Sequence, residues 1–178
     1  MKTELAYGKN GLVVELPDNV TTIIEPKFIP GLPDTEGAVR SALRNPIGTA
    51  PLRQLVTSSN TVAISVCDIT RPIPTFDILS VVLKELHHVP PNQIVILVAT
   101  GTHRGNTLEE LSMMLGADVV NKFQVVNHDA FNEATTKYVG QTQDNIPIWL
   151  NSYWLDAQIR ITLGFAEPHF FAGFSGGP

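Results

Sequence analysis

The centre of the chain alternates short, unbroken apolar runs with longer stretches in which apolar residues recur every three or four positions. Val62-Ala63-Ile64-Ser65-Val66, Ile94–Ala99 and Ile159–Leu163 are short and rich in β-branched residues. That is the pattern of strands covered on both faces of a parallel sheet, and 123–126 supplies a further strand of the same kind. Between the first two runs, Ile78, Val82 and Leu86 share one helical face behind Thr75, which can cap the helix. Thr107 and Glu110 form a capping box ahead of Leu108, Leu111, Met114 and Leu115, and Gly116 is placed to end that helix. Upstream, Val39 and Leu43 lie one turn apart in a helix predicted over 36–44 that stops before Pro46, and 53–56 adds a short turn. Two segments pair differently. Residues 4–7 and 12–15 flank Gly8-Lys9-Asn10-Gly11 as an amino-terminal hairpin, and Tyr138-Val139 with Ile146-Pro147-Ile148-Trp149 form a second hairpin inserted before the last parallel strand. The pattern predicts an α/β fold: a mostly parallel sheet with flanking helices, an amino-terminal hairpin and an inserted hairpin.

Composition narrows the chemistry. A chain of 178 residues that is 43% hydrophobic and only 16% charged buries a substantial core as one domain. A net charge of −5 and the lack of any Lys/Arg run argue against nucleic acid and acidic membrane surfaces, leaving small-molecule chemistry. No apolar stretch approaches the roughly 20 residues of a membrane span, and the opening residues carry no signal core, so the expected location is cytoplasmic. The single cysteine, Cys67, permits no internal disulfide and is expected to be a small, buried strand residue.

Three of the apolar runs pass straight into polar clusters: Cys67-Asp68-Ile69-Thr70-Arg71-Pro72, Ala99-Thr100-Gly101-Thr102-His103-Arg104, and Gly164-Phe165-Ala166-Glu167-Pro168-His169. If the runs are parallel strands, the clusters share the carboxyl edge, where open α/β sheets bind ligands. Asp68 and Thr70 suit a turn, and Asp68 can also accept from a hydroxyl or a histidine N–H. Arg71 offers a fork for a carboxylate or phosphate. Gly101 allows close backbone approach, and His103 is the side chain suited to proton transfer near neutral pH. His169 follows Pro168, whose fixed φ stiffens its loop, and Glu167 is expected to be solvated. Residues 170–178, Phe-Phe-Ala-Gly-Phe-Ser-Gly-Gly-Pro, form a glycine-rich stretch able to cradle a phosphate through its amides, though without the lysine of a nucleotide-triphosphate loop. His87 and His88 fall at a helix end, and His128 beside Asp129 is expected to serve structure. None of these histidines has the spacing of a zinc motif.

Taken in order, these clusters, with Asn127-His128-Asp129-Ala130 and Ala172-Gly173-Phe174-Ser175-Gly176-Gly177, resemble the nickel-dependent lactate racemase family. The resemblance implies a 2-hydroxy-acid racemase or epimerase working by hydride transfer to a nickel-pincer nucleotide. It implies that His103 and His169 are paired acid/bases, one for each face of the substrate, and that Arg71 holds the substrate carboxylate with Asp68 in support. Asp68, Thr70, Gly173, Ser175, Gly176 and Gly177 would border the cofactor. It also implies that residues 1–178 are the amino-terminal, site-bearing domain of a longer two-domain protein. The family's cofactor-attaching lysine would follow Pro178, so these residues alone are expected to form no covalent adduct and to be inactive. The missing carboxy-terminal domain, or a second copy, would cover the aromatics near the end. Two other readings use the same residues. One is a non-catalytic domain holding a phosphate or carboxylate with Arg71, Arg104 and the glycine stretch. The other is a hydrolase whose divalent ion is ligated by His103, His169 and Asp68.

Overall fold

The computed structural model describes residues 1–178 other than Pro26, Phe170, Ala172, Gly177 and Pro178. Two compact units result, Met1–Leu32 and Pro33–Pro178. In the first, β1 (Lys2–Leu5) pairs antiparallel with β2 (Leu12–Glu15). The strand predicted over 4–7 therefore starts two residues earlier. The register Leu5↔Leu12 places 6–11 in the connection, and Gly11, at φ +70°, lies under the Glu4 side chain where a Cβ would clash.

The second unit carries α1 (Thr35–Arg44), α2 (Leu52–Leu55), β3 (Val62–Cys67), α3 (Thr75–Glu85), β4 (Ile94–Ala99), α4 (Leu108–Leu115), α5 (Ala117–Lys122) and β5 (Gln124–Asn127). It continues with β6 (Thr136–Gln141), β7 (Pro147–Asn151), α6 (Ser152–Asp156), β8 (Ile159–Leu163), β9 (Ala166–His169) and β10 (Gly173–Gly176). Among the described residues the parallel sheet has four strands in the order β5-β4-β3-β8. β6 and β7 pair antiparallel, as the pattern of 138–149 predicts.

One face of the sheet carries the main core. Val62, Ile64 and Val66 of β3 and Ile94, Ile96 and Val98 of β4 are buried there with Leu79, Val82 and Leu86 of α3 and Leu111 and Leu115 of α4. The other face has a smaller cluster, Ala63, Val95 and Ala157, with Val126 and Trp154 packed on it. The capping box forms: Thr107 Oγ1 accepts from the Glu110 amide, the Glu110 carboxylate accepts from the Thr107 amide, and Gly116 ends α4 at φ +89°. Thr75 differs from the expectation. It is the first residue of α3, and its buried hydroxyl donates back to the Ile73 carbonyl instead of capping an amide. No helix among the described residues is long and apolar enough to cross a membrane.

The strand order singles out one edge of the sheet. The chain moves outward from β3 to β4 to β5 and then returns to add β8 on the other side of β3. That reversal is a topological switch point, and the carboxyl ends of β3 and β8 flank it.

Candidate functional site

The loop leaving β3 is built around Asp68, whose side chain is 5% exposed. One carboxylate oxygen accepts from the Thr70 amide at 2.8 Å and the Thr70 hydroxyl at 2.5 Å, which is the turn its sequence predicts. The other oxygen lies 2.7 Å from His103 Nδ1. Burial pushes the Asp68 carboxyl up, but the bonds from Thr70 and His103 outweigh it and hold the group below its ordinary value. An ionised carboxylate only accepts, so His103 Nδ1 is the donor, and Nε2 is the other nitrogen of a half-exposed ring.

The loop leaving β4 presents His103 by a second set of anchors. Thr100 is buried, its hydroxyl donates to the His128 carbonyl at 2.5 Å, and its own carbonyl accepts from the His103 amide at 3.0 Å. Gly101 stands at φ +58° with open space where a Cβ would be. Asp68, Arg71, Thr100, Gly101, Thr102 and His103 line a cavity of about 280 Å³ together with Cys67 and Ala99. This is just under the ~300–1,000 Å³ of drug-sized ligand pockets, a volume for a small organic acid or one part of a larger group. Cys67 is half-buried on this wall rather than sealed in the strand, and burial followed by the neighbouring Asp68 charge pushes its thiol up.

The third cluster takes a form the sequence does not suggest. Residues 166–169 are a strand, paired antiparallel with the glycine-rich residues 173–176, so the predicted phosphate-cradling loop is instead one arm of a hairpin. Gly176, at φ +82°, has a packing reason: an added Cβ would lie 1.7 Å from the Phe165 carbonyl oxygen. Gly173, at φ +80°, faces open space, and Gly177 lies outside the described residues. In a strand, alternate residues share a face, so Glu167 and His169 point the same way, with Ser175 directly across from Glu167. Glu167 is not simply solvated. Its Oε1 accepts from the Ser175 hydroxyl at 3.3 Å and lies 3.8 Å from Arg71 Nη1. Through Glu167 the hairpin approaches the loop that follows β3.

The structure therefore gathers Asp68, Thr70, Arg71 and His103, and joins Glu167 and Ser175 to them through Arg71. His169 sits half-buried on the hairpin, two residues from Glu167, with its ring against Phe171. Arg104 is not part of the gathering. Its two terminal nitrogens pair with both Glu110 oxygens at 2.8 and 2.6 Å, a fork committed to the start of α4. That pairing, first among its causes, lowers Glu110 to about 2. The Nδ1 of His128 accepts from the Asn151 amide at 3.1 Å, while His87 and His88 bond to the Lys84 and Val56 carbonyls, all structural roles. Among the described residues no three His, Cys, Asp or Glu side chains cluster as a metal ion requires, so the proposed hydrolase ligand set of His103, His169 and Asp68 does not assemble. Sequence reasoning set Glu167 down as solvated and did not foresee its approach to Arg71. Its i, i+2 spacing from His169 was the available signal, legible only once 166–169 is known to be a strand.

Comparison with known proteins identifies the family. The family model described as the lactate racemase N-terminal domain matches residues 7–178. A lactate racemase from Thermoanaerobacterium thermosaccharolyticum is 36% identical over 98% of this chain and 42% of its own length. One from Lactiplantibacillus plantarum is 39% identical over 78% of this chain and 33% of its own. The chain thus spans about two fifths or less of these curated relatives. The solved lactate racemase apoprotein from T. thermosaccharolyticum superposes with a TM-score of 0.80 at 34% identity, covering 98% of this chain and 41% of that one. A Thermotoga maritima protein shares the fold alone, with a TM-score of 0.67 at 23% identity over 84% of this chain and 38% of that one.

Proposed function

Because this chain belongs to the lactate racemase N-terminal domain family, we propose that it provides one half of a site that racemises lactate or a similar 2-hydroxy acid. The observation that carries the reading is the Thr70, Asp68, His103 relay at the switch-point edge, with Arg71 on the same cavity wall. A buried carboxylate that fixes one imidazole nitrogen and frees the other is how a histidine is prepared for proton transfer.

In this reading Arg71 binds the acid's carboxylate, and its fork fixes the plane of the substrate. His103 Nε2 takes the proton of the C2 hydroxyl in one enantiomer, and Asp68 stabilises the imidazolium that results. His169, carried on the hairpin with Nδ1 accepting from the Phe171 amide, is the counterpart for the other enantiomer. Two bases are needed because the two enantiomers present their hydroxyls from opposite sides. As the hydroxyl proton leaves, C2 would give up its hydrogen with the bonding electrons to the acceptor that a bound cofactor supplies, become planar, and regain both on the opposite face.

The residues present fit a nickel-pincer nucleotide. The cavity wall is polar, Gly101 leaves room where a side chain would project, and the Thr102 hydroxyl suits its phosphate or carboxyl-derived groups. Asp68, Thr70, Gly173, Ser175 and Gly176 would border it. When bound, the group supplies a reversible acceptor for the C2 hydrogen and its electrons. A domain that only holds a carboxylate would need Arg71 but not the Asp68 to His103 pair, and that pair favours catalysis.

The test is the enzyme comprising this domain and the carboxy-terminal region its relatives carry, loaded with nickel cofactor and given 2-deuterated lactate in ordinary water. Racemisation with the label kept at C2 is expected, because the departing hydrogen returns to the same carbon. Racemisation with label washed out would replace this mechanism with two-base proton abstraction, and absence of turnover on any 2-hydroxy acid would remove the reading.

A further inference from the structure

We propose that Glu167 is a positioning residue that straps the hairpin to Arg71, and so sets both the aim of the carboxylate fork and the place of His169. The inference deepens the reading of Arg71 as the carboxylate site and rests on it. A two-stranded hairpin is marginal on its own, so β9 and β10 need a tether to hold a histidine in register with a substrate. Glu167 Oε1 supplies one, meeting Arg71 Nη1 at 3.8 Å while the Ser175 hydroxyl donates to the same oxygen at 3.3 Å. Ser175 is the cross-strand partner of Glu167, so its hydroxyl fixes the carboxylate from within the hairpin. One terminal nitrogen of Arg71 is thereby engaged from the β8 side of the switch point, leaving the other donors of the guanidinium for an incoming carboxylate on the cavity side. The ligand class this arrangement selects is a small monocarboxylate, because the strap already neutralises part of the Arg71 charge.

The experiment is a lactate titration of the enzyme that carries this domain, read by isothermal calorimetry in every variant, with lactamide as the uncharged control. Amide hydrogen exchange of 166–176 is measured alongside. Glu167→Gln keeps the size of the side chain and its bond from Ser175 but removes the charge. It is expected to weaken lactate binding roughly two- to fivefold, the range of a half-exposed ion pair, and to speed exchange across the hairpin. Lactamide binding should not change. Arg71→Gln should speed the same amides by a similar factor, and the double variant should add little to either. Wild-type lactate affinity and wild-type exchange in Glu167→Gln, with Arg71→Gln still losing lactate, would overturn the strap and leave the carboxylate site standing. Tighter lactate binding in Glu167→Gln would also overturn it, since the glutamate would then be a competitor for Arg71. Lactate binding unaffected by Arg71→Gln would overturn the site and the strap together.

Discussion

The loop after β3 and the hairpin after β8 leave neighbouring strands at the same edge, yet they are held by different physics. The loop is locked from within. Asp68 is buried and satisfied by three donors, two from Thr70 and one from His103, so the first histidine is presented by a nearly rigid frame. The hairpin is held from outside, through a half-exposed Glu167 that meets Arg71 at 3.8 Å. A pocket edge built from one rigid and one adjustable half can fix one imidazole in advance and, in the proposed reading, still let the second settle on a bound acid.

That contrast can be broken most forcefully at Asp68. Asp68→Ala leaves the Thr70 and His103 donors unpaired and frees the imidazole to adopt the wrong tautomer. The expected loss is about 10²- to 10⁴-fold in kcat of the loaded enzyme, with about 1–3 kcal/mol of stability lost by chemical denaturation. The stability part is pH-dependent with a definite sign. The Asp68 carboxyl lies lower in the folded than in the unfolded chain, so its contribution is complete above the unfolded value of ~3.9 and is lost as pH falls through the folded value. Denaturation midpoints of the wild type and Asp68→Asn should therefore differ by a constant amount above about pH 5 and converge on acidification. A gap that widened at low pH would contradict the assignment.

The hairpin side breaks next. Gly176→Ala puts a Cβ on the Phe165 carbonyl at a positive φ, a strain of about 1–3 kcal/mol. Faster hydrogen exchange confined to 166–176, with the β3 and β4 amides unchanged, is the expected pattern. Loss of protection across the whole sheet would show that the two halves are not separable. The smallest effect belongs to Glu110→Gln, which removes the charge that pairs with Arg104 while a glutamine oxygen still accepts from the Thr107 amide. Because Glu110 is held down to about 2, its support is present above its ordinary value and disappears only as pH falls toward 2. A small fall in Tm at neutral pH, absent near pH 2, with lactate binding untouched, would confirm that Arg104 serves α4 and not the site.

The same contrast explains what the sequence could disclose. Ile94–Ala99 was readable residue for residue, because an unbroken β-branched run has only one good place in an α/β fold, the buried middle of the sheet. The capping box of α4 was readable because it is local chemistry at a fixed spacing. Asp68, Arg71 and His103 were readable as candidates because each follows a legible strand. The hairpin was not. Ala-Glu-Pro-His and Gly-Phe-Ser-Gly have neither apolar alternation nor turn residues at a hairpin spacing, and their strand character comes from pairing with each other. Arg104 misled for a related reason: its partner Glu110 lies six residues away, across a loop whose path the sequence does not show. Glu167 was hidden behind the same unread hairpin, since its approach to Arg71 exists only once both β3 and β9 are placed.

The most direct measurement is nitrogen-resolved NMR of the His103 ring in the enzyme that carries this domain, before and after lactate. The proposed reading predicts a proton fixed on Nδ1 and a shift of Nε2 on adding lactate that propionate, lacking the hydroxyl, does not produce. A ring protonated on Nε2 with Nδ1 bare, or an Nε2 signal indifferent to lactate, would contradict the account.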